Sequence, residues 1–304
     1  MLEPLLLINS GFGDDKNLCF VNSVIQFLRQ SFLFKQHLIE NRNISNVDKE
    51  LYNLVRNEGT TTVVSAAHLR MLVGIECNDH DIFSGEQQDA AEFLCLLLQC
   101  LYPASSNMFN FKLTIESKFL LQGRPSPCQH CGRFPSNKDE NHNILKVAFP
   151  SISYDDTFLR LEHLLEQNFG INYSSEGQLK RCEYCCTHGD NSDHQSDVRC
   201  RLKEYQSQSK FTEPPSCLII QLLRFRNIRG LSHKINTLVK SPDIISIEKT
   251  KYYSTAILNH EGNLEYGHYR VEWGKMGQRG KMGHYFKCTT KETVMNIIDR
   301  IWPR

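Results

Sequence analysis

Apolar residues recur at three- and four-residue intervals between Asn17 and about Leu38. There Val21, Val24, Ile25, Leu28 and Phe32 would line the buried face of an amphipathic helix, with Cys19 in its first turn. A second helix is predicted from Gln87 to Leu101, its stripe made of Ala90, Phe93, Leu94, Leu97, Leu98 and Leu101. Ser84, followed by Gln87 three residues later, predicts a capping box at its start. Asp48 to Val73 carries a weaker helical pattern through Leu51, Leu54 and Val55 and then Ala66, Leu69, Met71 and Leu72. The first third of the chain is therefore expected to be mostly helical.

After Pro103 the period changes. Phe109 to Ile115 alternates apolar and polar residues as a half-buried strand does, and Lys118 to Leu121 continues in that style. Helix returns from Asp156 to Phe169 through Phe158, Leu161, Leu164 and Leu165, with Asp155 and Asp156 near its N-terminus. Ser174 to Ser209 is polar and reads as loop. Cys217 to Leu223 after Pro214-Pro215, Tyr252 to Leu258, and His268 to Trp273 read as strands, so the last third is expected to be mostly sheet.

Composition narrows the class. The chain has 304 residues, 40% of them hydrophobic, enough for one large or two medium globular domains with a real core. Lys plus Arg total 35 against 34 Asp plus Glu, so no overall charge draws it to nucleic acid or an anionic membrane. No apolar run is long enough to span a bilayer, and the short Leu5 to Ile8 run lacks the basic flank of a secretory signal. A soluble cytosolic or nuclear protein is expected.

Four of the 12 cysteines form two Cys-x-x-Cys pairs, Cys128 with Cys131 and Cys182 with Cys185. That gap lets both thiolates of a pair grip one ion from a tight turn, so the two pairs supply four tetrahedral ligands for a structural Zn²⁺. Gly132 permits the first knuckle, and 50 residues separate Cys131 from Cys182, which suggests two distant β-turns pinned together. Cys186 and Cys200 lie near enough to compete as ligands. Four sulfurs leave no open position, so such a metal is architectural.

Cys19 at the mouth of a helix and the glycine-flanked His268 in Gly267-His268-Tyr269 read as the nucleophile and base of a cysteine protease. A helix N-terminus and a nearby imidazolium lower a thiol pKa from about 8.5 to roughly 3.5–7.5. Taken singly, Cys19 beside Phe20 and Val21 reads as a small buried hydrophobe, and His268 as an ordinary strand histidine.

Five segments together resemble, in order, the boxes of the ubiquitin-specific proteases. They are Gly11-Phe12 through Gln26, Gly85 through Leu94, Pro215 through Phe225, Asn259-His260-Glu261-Gly262, and Gly267-His268-Tyr269. The resemblance covers almost the whole chain and implies an α+β, papain-like fold shaped as a right hand. Residues 1–105 would be the helical thumb, 106–215 mainly zinc-tipped β-fingers with the start of the palm, and 216–304 the palm. It implies cleavage after the C-terminal Gly-Gly of ubiquitin through a thioester on Cys19, with His268 as base and then acid. Ubiquitin or ubiquitinated proteins would be the partners of a monomeric enzyme.

The same resemblance puts the groove for the ubiquitin tail at Gln88, Asp89, His260 and Tyr269. Oxyanion support falls on Asp14 and Asn17, with the Cys19 N–H as a further donor. Three positions depart from the family pattern. Asp14 stands where Asn is usual, Lys16 replaces the glycine of the turn, and Thr289 takes the place of the carboxylate or amide that orients the histidine, with His284 and Asp299 as poorer substitutes. An ionised Asp14 repels a developing oxyanion, and a Thr hydroxyl cannot stabilise imidazolium as a carboxylate does. Two other readings therefore stand beside the protease: a ubiquitin-binding pseudoenzyme, and a protease for a ubiquitin-like modifier. The chain is expected to be nearly all catalytic domain, targeted by its own surface or a bound partner.

Overall fold

A computed structural model describes residues 7–9, 13–42, 44–56, 63–84, 86–150, 159–173, 179–187, 203–228, 230–262, 267–273, 289–290 and 293–300. The first hundred residues form helices α1 (Cys19–Arg29), α2 (Phe32–Asn41), α3 (Asn46–Arg56), α4 (Ala67–Cys77), the single turn α5 (His80–Phe83) and α6 (Ala90–Cys100), with the short α7 (Pro103–Ser106) after them. Next come β1 (Phe111–Leu121), β2 (Arg124–Ser126), β3 (Lys138–His142), β4 (Leu145–Ala148), β5 (Leu159–Arg160), α8 (Leu161–Phe169), β6 (Asn172–Tyr173) and α9 (Glu183–Thr187). Strands dominate the remainder: β7 (Tyr205–Glu213), β8 (Cys217–Leu223), β9 (Phe225–Ile228), β10 (Leu231–Lys234), β11 (Val239–Lys240), β12 (Ile244–Ile247), β13 (Thr250–Gly262), β14 (Gly267–Trp273), β15 (Thr289–Thr290) and β16 (Thr293–Arg300).

Contacts divide the chain into two units, one of residues 1–110, 143–164 and 214–304, the other of 111–142 and 165–213. In the first unit β12, β13, β16, β8 and β4 lie in that order, and β14 also pairs with β13. Because β16 runs along most of β13, β12 and β14 must share its other edge, one after the other. Helices and this sheet close one core. Leu18, Phe20, Val24, Leu28, Leu51, Leu69, Phe93 and Leu97 pack with Ile219, Ala256, Leu258 and Tyr269. Each of the Leu, Ile, Val and Phe side chains contributes about 1.5–3 kcal/mol by leaving water. The second unit is built on β2-β1-β7-β6, with β3 also paired to β1.

Four local expectations are corrected. The helix drawn from Asn17 to Leu38 is two helices, because Ser31 turns extended and its Oγ accepts the Phe34 N–H, capping α2. Nine of the eleven α1 residues are buried, so α1 is a central helix and not one with a single buried face. The second long helix starts at Ala90, where Asp89 accepts from the N–H groups of Ala91 and Glu92; Ser84 instead ends α5 and accepts from Glu86. The stretch read as loop to Ser209 contains the start of β7, whose polar residues are held by pairing with β1 and not by burial.

Candidate functional site

Cys19 opens α1. Leu18, at the N-cap, has no side-chain acceptor to offer, so the first N–H groups of the helix are left without the usual cap. The Cys19 thiol lies under the influence of its own backbone N–H and those of Phe20 and of Tyr269 on β14, dipoles that favour a thiolate. Tyr269 is the residue immediately after His268. Burial pushes the Cys19 thiol above the ordinary value, and the three N–H groups oppose that rise without overcoming it. The expected depression by helix end and imidazolium is thus absent here: the thiol is 7% exposed and desolvation prevails. The His268 ring is exposed.

β14 is fixed from both sides. Gln87 donates to the Gly267 carbonyl at 2.7 Å. The buried Tyr269 hydroxyl bonds to the Asp89 carboxylate and receives the Ala90 N–H, and burial followed by the Asp89 charge pushes the phenol well above its usual range. Asp89 therefore works twice, as the α6 cap and as the partner of Tyr269. His260 is 4% exposed, its ring 4.7 Å from that of Tyr269. Burial, and then the Lys234 charge, push it below the usual histidine value, against the opposing pull of Asp89. Lys234 donates at 2.8 Å to the carbonyls of both His260 and Gly262, at the end of β13. Gly267 is required sterically. A Cβ there would lie 1.9 Å from His260 Nε2 and 2.7 Å from the Glu261 oxygen.

Ahead of Cys19, the turn that lacks glycine at Lys16 takes its positive φ at Gly13 (61°) and Asn17 (54°), asparagine being tolerant of that region. Arg70, 6% exposed on α4, donates to the Asp14 carbonyl at 2.8 Å and to the Lys16 carbonyl at 3.1 Å. The Asp14 and Asp15 charges act on its guanidinium. Asp15 is held by the Ser65 hydroxyl.

Cys19, Asp89, His260 and Tyr269 are thus gathered in one region of the first unit. Gln88 turns away to the Asp81 carbonyl. Thr289 pairs through its backbone with Lys240, and its side chain lies outside the described residues, as does His284. Asp299 is placed on β16 opposite Tyr253 and Cys217. Gln87, Arg70 and Lys234 were not foreseen as positioning groups. Gln87 alone carried a signal, since it sits within the second box.

In the second unit the sulfurs of Cys128, Cys131, Cys182 and Cys185 all lie within 4.8 Å of one another. The Cys128–Cys185 and Cys131–Cys182 separations are both 3.7 Å. A tetrahedron with metal–sulfur arms of about 2.3 Å has edges of about 3.8 Å, so the four sulfurs fit one ion. Gly132 makes the first knuckle at φ 69°, donating to the Cys128 carbonyl. The second knuckle opens α9 and is not the β-turn expected. Cys186 is exposed and outside the cluster, and Cys200 lies outside the described residues. Burial opposes ionisation of Cys128, but the Lys203 ammonium at 2.9 Å and the Cys131 and His130 N–H groups bring it down to about 5.

A sequence model described as ubiquitin carboxyl-terminal hydrolase matches residues 10–295. The chain belongs to the ubiquitin carboxyl-terminal hydrolase family. Within it, the chain is 23% identical to ubiquitin carboxyl-terminal hydrolase 4 of Arabidopsis thaliana over 85% of its own length and 79% of that protein's. Among solved structures it is similar to the SAGA Ubp8/Sgf11/Sus1/Sgf73 DUB module bound to ubiquitin aldehyde, with TM-score 0.68, 16% identity, and 99% of this chain and 70% of that one covered. A yeast SAGA DUBm with mutant Sgf73 gives TM-score 0.66 and 15% identity over 99% and 69%. At that identity the likeness establishes the fold, the mixed helix and sheet of the ubiquitin-specific proteases expected from the sequence.

Proposed function

We propose that the chain is a deubiquitinating thiol protease that cuts isopeptide and peptide bonds after the C-terminal glycine of ubiquitin. One observation carries the reading: Cys19 at the start of α1 and Tyr269, the residue after His268, share one buried core, with the Tyr269 N–H acting on the Cys19 thiol. Because burial keeps the thiol protonated, His268 takes that proton as the substrate carbonyl arrives. The thiolate then forms the carbon–sulfur bond, and the imidazolium returns the proton to the departing amine. Water, activated by the same imidazole, hydrolyses the resulting thioester. The Cys19 N–H and Asn17 support the oxyanion, with Arg70 offsetting the Asp14 charge, and Thr289 orients His268. Asp89, His260 and Tyr269 shape the groove for the ubiquitin tail, with Gln88 at its edge. The four cysteines hold Zn²⁺, which pins the two knuckles of the second unit and takes no part in the reaction. A cytosolic or nuclear setting belongs to this proposal, and no described helix is long and apolar enough to cross a membrane.

Ubiquitin bearing a C-terminal electrophile tests the reading. Label should attach to Cys19 and be abolished in Cys19→Ala, and a folded protein that takes no label sinks the protease assignment.

A second reading, a ubiquitin-binding protein without turnover, is favoured by the burial that pushes the Cys19 thiol above its ordinary value. It predicts measurable ubiquitin binding, an inert wild type, and hydrolysis gained on combining Asp14→Asn with Thr289→Asp. Competition between ubiquitin and ubiquitin-like probes separates the third alternative.

A further inference from the structure

Away from the site already described, two thiols lie against each other. Cys77 is the last residue of α4 and Cys100 the last of α6, and their Sγ atoms are 3.1 Å apart. The contact is reciprocal. Cys77 Sγ sits 3.7 Å from the Leu96 carbonyl oxygen, and Cys100 Sγ sits 4.0 Å from that of Val73, in each case the carbonyl one turn before the opposite cysteine. The last turns of the two helices therefore face each other through this pair. Both thiols are partly exposed, whereas Cys19 and Cys217 are buried.

We propose that Cys77 and Cys100 are a modification site, closing to an intramolecular disulfide by exchange with a low-molecular-weight disulfide such as oxidised glutathione. Bond formation brings the sulfurs about 1 Å closer, to the usual length of about 2.05 Å. The Cys77 thiolate attacks one glutathione sulfur, the small disulfide breaks, and one glutathione leaves with the electron pair and takes up a proton. Cys100 then attacks the Cys77 sulfur of the mixed disulfide, loses its proton, and releases the second glutathione. Two protein thiols are oxidised and one glutathione disulfide is reduced to two thiols. Burial, followed by the neighbouring Cys77, pushes the Cys100 thiol up to about 12, which suits it to the second, intramolecular step, where proximity replaces a high thiolate fraction.

The bridge would tie two functional elements. α4 carries Arg70, which holds the Asp14 and Lys16 carbonyls, and α6 begins after Asp89, which holds Tyr269.

The test uses the metal-loaded full chain carrying Cys19→Ala, so that the buried nucleophile cannot compete. Oxidised glutathione is raised until the exposed Cys186 is capped, free thiols are alkylated, and non-reduced peptides are analysed by mass spectrometry. The Cys77 and Cys100 peptides should be joined, lighter together by two hydrogens and carrying no glutathione, and dithiothreitol should separate them. In Cys100→Ser the reaction should stop with glutathione on Cys77. Recovery of both cysteines as alkylated free thiols, or each capped separately, while Cys186 is modified, overturns the proposal.

Discussion

Arg70 reaches from the first turn of α4 to the carbonyl of Asp14, 2.8 Å away, and spends a second N–H on Lys16. The loop leading to Cys19 has Lys16 where the resemblance led a glycine to be expected, and the buried Arg70 guanidinium holds the Asp14 and Lys16 carbonyls. Hydrogen bonds from a charged donor contribute about 1.5–3 kcal/mol, more than neutral ones. Arg70→Met should cost roughly that in chemical denaturation and should slow labelling of Cys19 by the ubiquitin electrophile. Arg70→Lys should recover part of both. An unchanged unfolding midpoint in Arg70→Met would remove the clamp from the account.

The Cys19 thiol gives a pH prediction with a definite sign. Burial raises its pKa, so the folded state favours the protonated form, and the associated stability is present below the unfolded-state value of about 8.5 and lost as pH rises through the folded one. Alkylation of the free protein by iodoacetamide at Cys19 should therefore rise only above that value, while urea-unfolded protein should react at lower pH. Mapping the modified peptide across pH checks this, and a midpoint below the ordinary thiol range in the folded protein contradicts it.

These two residues also show how far the sequence could be read. The Cys-x-x-Cys pairs were legible because one ion demands that spacing, and their four sulfurs do gather, whereas Cys19 and His268 were singled out by the company of the boxes and not by their own local pattern. The break at Gln30 and Ser31 was hidden, since the apolar period runs through it while the extended Ser31, whose Oγ accepts the Phe34 N–H, starts a new helix. Strand β7 was hidden for the opposite reason: Gln206, Ser207, Gln208 and Ser209 have no apolar period, and their order comes from the neighbouring strand. Arg70 and Lys234 act through backbone carbonyls remote in sequence, a relation that leaves no pattern along the chain. The raised Cys19 pKa required the burial itself to be known.

Gly267 and His260 are sterically coupled, and the coupling is measurable. A methyl group at 267 would overlap the His260 ring, with Nε2 at 1.9 Å, and would also crowd the Glu261 carbonyl at 2.7 Å. Overpacking of this kind costs about 1–3 kcal/mol or more. Gly267→Ala should lower the denaturation midpoint and abolish labelling of Cys19. Removing the ring in His260→Ser should make the same substitution less costly, leaving the Glu261 contact as the remainder. Equal cost in both backgrounds would show that the ring is not what demands glycine.

Lys203 bears on the cysteine cluster as an ammonium 2.9 Å from Cys128 Sγ, its charge also 5.1 Å from the Phe119 ring centre. Four thiolates around one divalent ion leave two net negative charges among Phe119, Tyr184 and Tyr205. Arg133 over Tyr184 and Lys180 over Tyr205 surround the same cluster with cations. Outer groups of this kind typically carry 10–100-fold in metal affinity. The purified chain should yield one zinc on denaturation, and Cys182→Ser should yield none. Lys203→Met should keep the zinc but release it to a chelator at least about 10-fold faster, with a colorimetric zinc indicator following the release. Release at the wild-type rate would mean that the ammonium borders the centre without stabilising its charge.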